Sequence, residues 1–290
     1  MNKQQPLVSV IMPCYNDGRY LQEAVQSLAQ QTYQQLELII IDDGSDDPDT
    51  LQVLQQVTFP SLQIIHTQRS YPAAARNQGV ACSTGQYLLP LDADDRISPD
   101  YVRQAVEVLE RQPEVGAVYC HADLFGNAQG PWNLPDFDVG RMLVDNIVFV
   151  TALIRRSVFD EVGGFDATLV RGVEDYDFFL SVMERGWQIH QLPDTLFHYR
   201  SKANSRSLQF AGDQEAFLAT YRQLYHKHIA LYREHMEDAF PVLREAYLRQ
   251  RKKLADSEFL FSLVYGKGPR AFIRLLYYRY FHRPKREEGR

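Results

Sequence analysis

The 290-residue sequence predicts an α/β protein: an open, mostly parallel sheet flanked by helices, with a helical C-terminal extension. Three observations carry that expectation. Short apolar runs alternate with helix-periodic segments as far as about residue 120. Two of those runs stop abruptly in clusters of acids, at the strand ends where an open α/β sheet binds its ligand. Beyond about Asp213 the pattern is helical throughout and rich in Tyr and Arg.

Leu7 to Met12, closing at Pro13, reads as a buried parallel strand. Asn16-Asp17-Gly18 turns into a helix with Leu21, Ala24, Val25, Leu28 and Ala29 on one face. Leu36 to Ile41 is a second strand, ending at Asp42-Asp43-Gly44-Ser45. Asp47 then caps a helix that has Pro48 at its first position. Leu62 to His66 is a third strand, and Pro72 to Ala81 a short helix. Tyr87 to Leu91 is a fourth strand, ending at Asp92-Ala93-Asp94-Asp95. Ser98-Pro99 opens the next helix, and Val115 to Tyr119 forms a further strand. Residues 121–145 lose periodicity and read as a long irregular segment. Ile147 to Ile154 regains strand character, Gly163-Gly164 turns, and Glu174 starts a helix that ends near Gly186. Gln188 to Leu192 is strand-like and a turn follows.

Composition narrows the function classes. Apolar residues are 45% and charged residues 23%, as in ordinary globular proteins. The net charge of −6 argues against a dedicated nucleic-acid binder. Cys14, Cys82 and Cys120 form neither a CxxC pair nor a zinc pattern, so free thiols in a reducing cytoplasm are expected. The first ten residues do not resemble a signal peptide, and no run is long enough to span a membrane. Charge is uneven: residues 241–290 carry 13 Lys+Arg against 5 Asp+Glu, while the first 240 residues are net acidic.

Several small motifs point to chemistry. Crowded carboxylates at Asp92, Asp94 and Asp95 repel one another unless a cation sits among them. Mg²⁺ and Mn²⁺ suit one or two such carboxylates plus phosphate oxygens; a solvated acidic turn is the alternative. Asp43 sits where a base or ribose could be read, or serves the turn alone. Tyr15 can stack on a base or pack at a rim. Arg76 can neutralise a phosphate, orient a carboxylate, or form a helix-surface ion pair. Glu174 and Asp175 start a helix, where acids serve the dipole; a carboxylate there can also act as a general base. His198 is a metal ligand or a structural histidine, and Arg200 or Lys202 a phosphate clamp.

The order of these motifs is more specific than any one of them. Pro13-Cys14-Tyr15-Asn16, then DDGSDD, ARNQG, DADD, GGFD, RGVEDYDF and HYR make residues 8–205 resemble the family 2 glycosyltransferases of the GT-A fold. The resemblance implies a Rossmann-like sheet, a nucleotide-sugar donor (a UDP-sugar favoured), Mn²⁺ or Mg²⁺, and inversion at the anomeric carbon. It assigns Pro13, Tyr15, Asn16, Asp43, Arg76, Asp92, Ala93 and Arg200 to the donor. Asp94, Asp92 and His198 fall to the metal, and Asp175 to the catalytic base with Glu174 beside it. It divides the chain into a transferase domain over residues 1–208 and a basic, aromatic extension over 209–290. Within the first, a nucleotide-sugar half runs to about residue 120 and an acceptor and base half covers 121–208. The Gln-x-x-Arg-Trp of processive synthases is missing, so transfer of one sugar to a glycan, lipid-linked or protein acceptor is expected. A catalytically silent nucleotide-sugar or glycan-binding member of the fold is the alternative. The C-terminal helices, with Arg249 to Lys253 and the stretch from Phe272 to Phe281, suit packing on the catalytic domain, a homodimer contact, or peripheral contact with the inner membrane face.

Overall fold

The computed structural model describes residues 5–203 and 214–265. Along the chain run β1 (Val8–Cys14), α1 (Gly18–Ala29), β2 (Leu36–Asp42), α2 (Pro48–Gln56), β3 (Leu62–His66), α3 (Tyr71–Ala81), β4 (Tyr87–Pro90) and β5 (Arg96–Ile97). Then come α4 (Tyr101–Arg111), β6 (Val115–Gly126), β7 (Gly130–Trp132), α5 (Val139–Val144), β8 (Leu153–Arg155), α6 (Arg156–Val162), α7 (Glu174–Glu184) and β9 (Gln188–Ser201). Three helices close the described chain: α8 (Gln214–Lys227), α9 (Ile229–Glu234) and α10 (Met236–Tyr265).

One sheet organises these elements in the order β3-β2-β1-β4-β8-β6-β9-β5, with β7 added on β6. Strands β1 to β4 are mutually parallel, as their apolar character requires. The short β8 is antiparallel to both β4 and β6 and joins the two halves. β6 and β9 are again parallel, and β5 closes the far edge antiparallel to β9. The sheet is therefore mixed beyond β4 rather than uniformly parallel. Helix α1 turns Leu21, Ala24, Val25 and Leu28 inward, and Asp47 caps α2 by accepting from the Thr50 amide at 2.9 Å.

Three expectations need correction. Residues 121–145 are not irregular throughout: β6 continues to Gly126, turns into β7, and α5 follows. The end of β6 pairs with the distant β9 as well as with β7, so much of its pairing is long-range and leaves little local periodicity. Trp132 is fixed there by Tyr199 at 4.8 Å and Phe149 at 6.1 Å between ring centroids. Of residues 147–154 only the end joins the sheet, as β8. The turn expected after Leu192 is a bulge inside one 14-residue strand: opposite Cys120 and His121 the register jumps from Leu192 to Thr195.

The C-terminal helices are tied to the helix at the site. His228 is fully buried; its Nε2 lies 3.0 Å from Asp177 and its Nδ1 3.0 Å from Glu184, both on α7. Lys227 joins Asp177 to Asp166. The start of α10 crosses α5 so closely that a Cβ on Gly140 would meet the Asp238 carbonyl oxygen. The expected boundary at residues 208 and 209 and the stretch from Phe272 to Phe281 lie outside the described residues. All three cysteines are free, as expected. Burial pushes the thiols of Cys14 and Cys120 up to about 12, so neither is a reactive thiolate.

Helix α3 approaches the sheet through Gly79, where a Cβ would stand 2.5 Å from Ile11 Cγ2. Its backbone has no need of glycine's conformational freedom, so the requirement is purely steric. Gly79→Ala is expected to cost about 1–3 kcal/mol in urea unfolding through overpacking.

Candidate active site

The register of the first strands places the site. Cys14 lies opposite Asp42, and Asp42 opposite His66, so β1, β2 and β3 finish level. Leu91 still donates to the Ile11 carbonyl at 3.0 Å, so the acidic run from Asp92 leaves the same edge. The loops carrying Tyr15, Asp43 and Asp92 thus open side by side, as a ligand-binding sheet edge requires.

Asn16 is a staple within this edge. With φ at +54°, its side-chain oxygen accepts from the Asp46 and Asp47 amides, both at 3.0 Å, and its Nδ2 donates to Asp46 at 2.7 Å. It locks the β1–α1 loop to the β2–α2 loop. Pro13 ends the paired stretch of β1 opposite Ile41.

Asp43 is buried and already engaged. Its Oδ1 accepts from the Ser70 amide at 2.7 Å and the Ser70 hydroxyl at 2.6 Å. Its Oδ2 accepts from the Tyr71 amide at 2.9 Å and Arg69 Nη1 at 2.5 Å. The carboxylate caps α3 from outside that helix, meeting its first free amides. This supports Tyr71, whose φ is +68°. Arg69 continues upward and lies 3.6 Å over the Tyr15 ring. Tyr15 stays 37% exposed at the rim, where a stacking residue belongs. Direct reading of a base by Asp43, as the resemblance implies, requires Arg69 to release it.

Arg76 occupies the centre. Its side chain is 2% exposed, yet one guanidinium donates to Asp92 at 2.6 Å and to Glu174 at 3.0 Å. Burial alone would disfavour its charge, but Asp92 and Glu174 hold it protonated above its already high value. The neighbouring Asn77 exchanges two hydrogen bonds with the Phe165 backbone, at 2.8 and 2.9 Å, binding α3 to the Gly163-Gly164 turn. Gly172 and Val173 both take positive φ just before α7 and set its entry angle. Glu174, the first residue of α7, is buried and held by Arg76. The adjacent Asp175 is half-buried, with its Oδ1 2.8 Å from the Tyr176 amide.

The second half of the acidic run forms a compact charge cluster. Burial and then the Asp92 charge raise the carboxyl of Asp94 above the ordinary range. Asp95 is raised well above it by burial, with Asp94 and Asp92 adding to the effect. The Arg200 amide donates to Asp95 at 2.7 Å, and Arg200 Nε to the Asp94 carbonyl at 2.8 Å. The Arg200 guanidinium also pairs with Glu23 and lies over Tyr20 and Phe125. Lys202 Nζ lies between Asp94 at 2.8 Å and Asp17 at 3.0 Å. Ala93 is buried between the two acids.

These groups fit a hard divalent cation. Asp92 and Asp94 present carboxylate oxygens, burial penalises the charge of Asp94, and Lys202 is the counter-charge on Asp94. Such ions take one or two carboxylates and complete their shell with phosphate oxygens and water. His198 does not join them. Its Nε2 lies 2.9 Å from Ser98 Oγ, and no group of three or more His, Cys, Asp and Glu converges among the described residues. Burial and Arg96 push its imidazole below the usual range, so it is a neutral hydrogen-bond partner between β9 and the β5–α4 turn.

Sequence reasoning missed Asp17, Glu23 and Arg69. Asp17 read as turn chemistry and Glu23 as the outer face of a helix. Arg69 lies in an unpatterned link, and only the fold brings it over Tyr15.

With this geometry in place, comparison with known proteins is decisive. A family model for glycosyl transferase family 2 matches residues 9–163, and one for glycosyl transferase family group 2 matches 87–255. The chain belongs to glycosyl transferase family 2. An uncharacterised glycosyltransferase of Haemophilus influenzae is 29% identical over 222 residues, covering 72% of this chain and 74% of the relative. Chondroitin synthase of Escherichia coli is 30% identical over 190 residues, covering 63% of this chain but only 27% of that enzyme. Two solved structures share the fold at 20% identity. A Pyrobaculum calidifontis mannosyltransferase in complex with GDP-Man and Mn²⁺ has a TM-score of 0.61, covering 94% of this chain and 79% of that one. Residues 1–349 of S. aureus TarS in complex with UDP-GlcNAc have a TM-score of 0.59, covering 69% and 60%. This family 2 transferase thus has the GT-A architecture expected of it.

Two outcomes are expected. Arg76→Leu removes the guanidinium from buried Glu174 and costs about 3–5 kcal/mol in urea unfolding; adding Glu174→Leu recovers part of that loss. Asp95→Asn removes a carboxyl whose pKa is raised by folding. That carboxyl supports the fold only while protonated, and the support is lost as pH rises through its folded pKa. The variant should therefore unfold at a higher temperature than wild type at neutral pH, the gap closing toward acid pH.

Proposed function

We propose that this transferase moves a single sugar, with inversion, from a nucleotide-sugar donor to a hydroxyl of a glycan, lipid-linked or protein acceptor. The observation that carries this reading is the Arg76 bridge. It joins Asp92, on the loop suited to a diphosphate and its cation, to Glu174, whose chain neighbour is the half-buried Asp175. Direct displacement needs a base on one side of the anomeric carbon and charge neutralisation on the other.

Asp175 takes the proton of the attacking hydroxyl. Arg76 keeps that carboxylate's helix in register with the diphosphate loop. Asp92 and Asp94 would hold Mg²⁺ or Mn²⁺, which offsets charge developing on the leaving diphosphate. Arg200 orders the acidic loop through its hydrogen bonds to Asp94 and Asp95. Lys202, now on Asp94, is a cation on the same acidic loop that can turn to the diphosphate. Tyr15 offers its ring to the base. UDP-sugars are favoured by the family resemblance and by the UDP-GlcNAc held by TarS, while the GDP-Man of the archaeal mannosyltransferase makes GDP the first competitor.

A thermal-shift panel of UDP, GDP, dTDP and CDP with and without Mn²⁺ tests the donor half. One nucleotide at 100 times its Kd is expected to add about 2.7 kcal/mol in the presence of Mn²⁺. Asp94→Ala should abolish that gain. Asp175→Asn should keep the nucleotide shift but lower sugar transfer by about 10²–10⁴-fold. Full turnover in Asp175→Asn removes the proposed base, and nucleotide binding without transfer in wild type favours a silent binding protein.

A further inference from the structure

Helix α10 leaves the body of the protein soon after it is anchored. Ala239 is buried against the domain and Val242 is partly covered, but every residue from Leu243 to Leu254 is exposed. That stretch is not polar all round, as a freely solvated helix would be. Phe240, Leu243, Tyr247 and Leu254 are 49–62% exposed. At 3.6 residues per turn their positions fall within an arc of roughly 60°. Arg244 and Arg251 border the same arc, with guanidinium carbons 5.8 and 6.0 Å from the Tyr247 ring. The acid of this stretch, Glu245, faces away and pairs with Arg249.

We infer that this face of α10 docks on an anionic lipid surface. An apolar stripe that includes aromatic rings, edged by arginines, suits the boundary between acyl chains and negative headgroups. Charge favours that occupant over the chain's own remaining residues. From Phe240 to Leu254 there are five Lys and Arg against one Glu, and residues 266–290 add eight against two. Two such segments repel each other, while a negative membrane satisfies both. Among the described residues no helix is long and apolar enough to cross a membrane, so this is contact in the plane of the surface. The inference is independent of the nucleotide-sugar reading.

Flotation of the full chain with two vesicle types tests it: phosphatidylcholine alone, and phosphatidylcholine with one-third phosphatidylglycerol. Wild type should float with the anionic vesicles, remain below with the neutral ones, and be released by high salt. Two variants should each cut the floated fraction about tenfold: Phe240→Ser with Leu243→Ser and Tyr247→Ser, and separately Arg244→Gln with Arg251→Gln. Their thermal midpoints and nucleotide shifts should match wild type, since these side chains are exposed. Failure of wild type to float, equal flotation with neutral vesicles, or full flotation of both variants overturns the inference. A dimer in light scattering that the triple variant dissociates, with no vesicle binding by wild type, assigns the face to a second copy instead.

Discussion

Everything at the open edge of the sheet depends on one buried guanidinium. Arg76 is almost wholly removed from water and must be paired, because an isolated charge there would be intolerable. Its two partners come from opposite halves of the fold: Asp92 from the end of β4, and Glu174 from the first turn of α7. A planar fork with fixed donor geometry holds both carboxylates at a set separation, which a lysine could not do. A buried pair of this kind is weak evidence for stability, since apolar residues of equal volume often serve as well. Its value here is positional: it sets the spacing between the loop suited to a diphosphate and the helix that carries Asp175.

The surrounding shell makes that bridge rigid. Asp43 caps α3 and so fixes the helix that bears Arg76. Asn77 ties the same helix to the turn before α7. His228 and Lys227 brace α7 from its other side, using Asp177 and Glu184. The C-terminal helices are in this way continuous with the site through hydrogen bonds and ion pairs. Displacing them would disturb the orientation of Asp175 as well as the outer surface of the protein.

The acidic cluster follows a different logic. Burial raises the carboxyls of Asp94 and Asp95, so the protein holds charge where its own interior disfavours it. Lys202 and Arg200 restrain that cost through contacts with the same loop. Such a site gains most when additional positive charge arrives, and this links its strain to the binding of a cation with its phosphate ligand.

The sequence by itself determined the strand and helix order of the first 120 residues except for the two-residue β5, which is too short to leave a pattern. Strands buried on both faces and helices buried on one leave periodicities that need no knowledge of the fold. It also determined which acids stand at strand ends, and the motif order that marks the family. Tertiary structure decided what those side chains touch. Asn16 and Asp43 read as ligand residues, and only the fold shows that Asn16 also locks two loops and Asp43 also caps a helix, because their partners at 45–47 and 67–71 arrive from other elements. His198 read as a metal ligand, but the pairing of β9 with β5 sets it beside Ser98. The motif order told Asp175 from Glu174, but only the fold shows how their surroundings differ: a buried arginine nearly one hundred residues away engages Glu174, while Asp175 beside it is half-buried. Local chemistry is written in neighbouring residues, whereas pairing across the fold depends on sheet register, to which no short motif is sensitive.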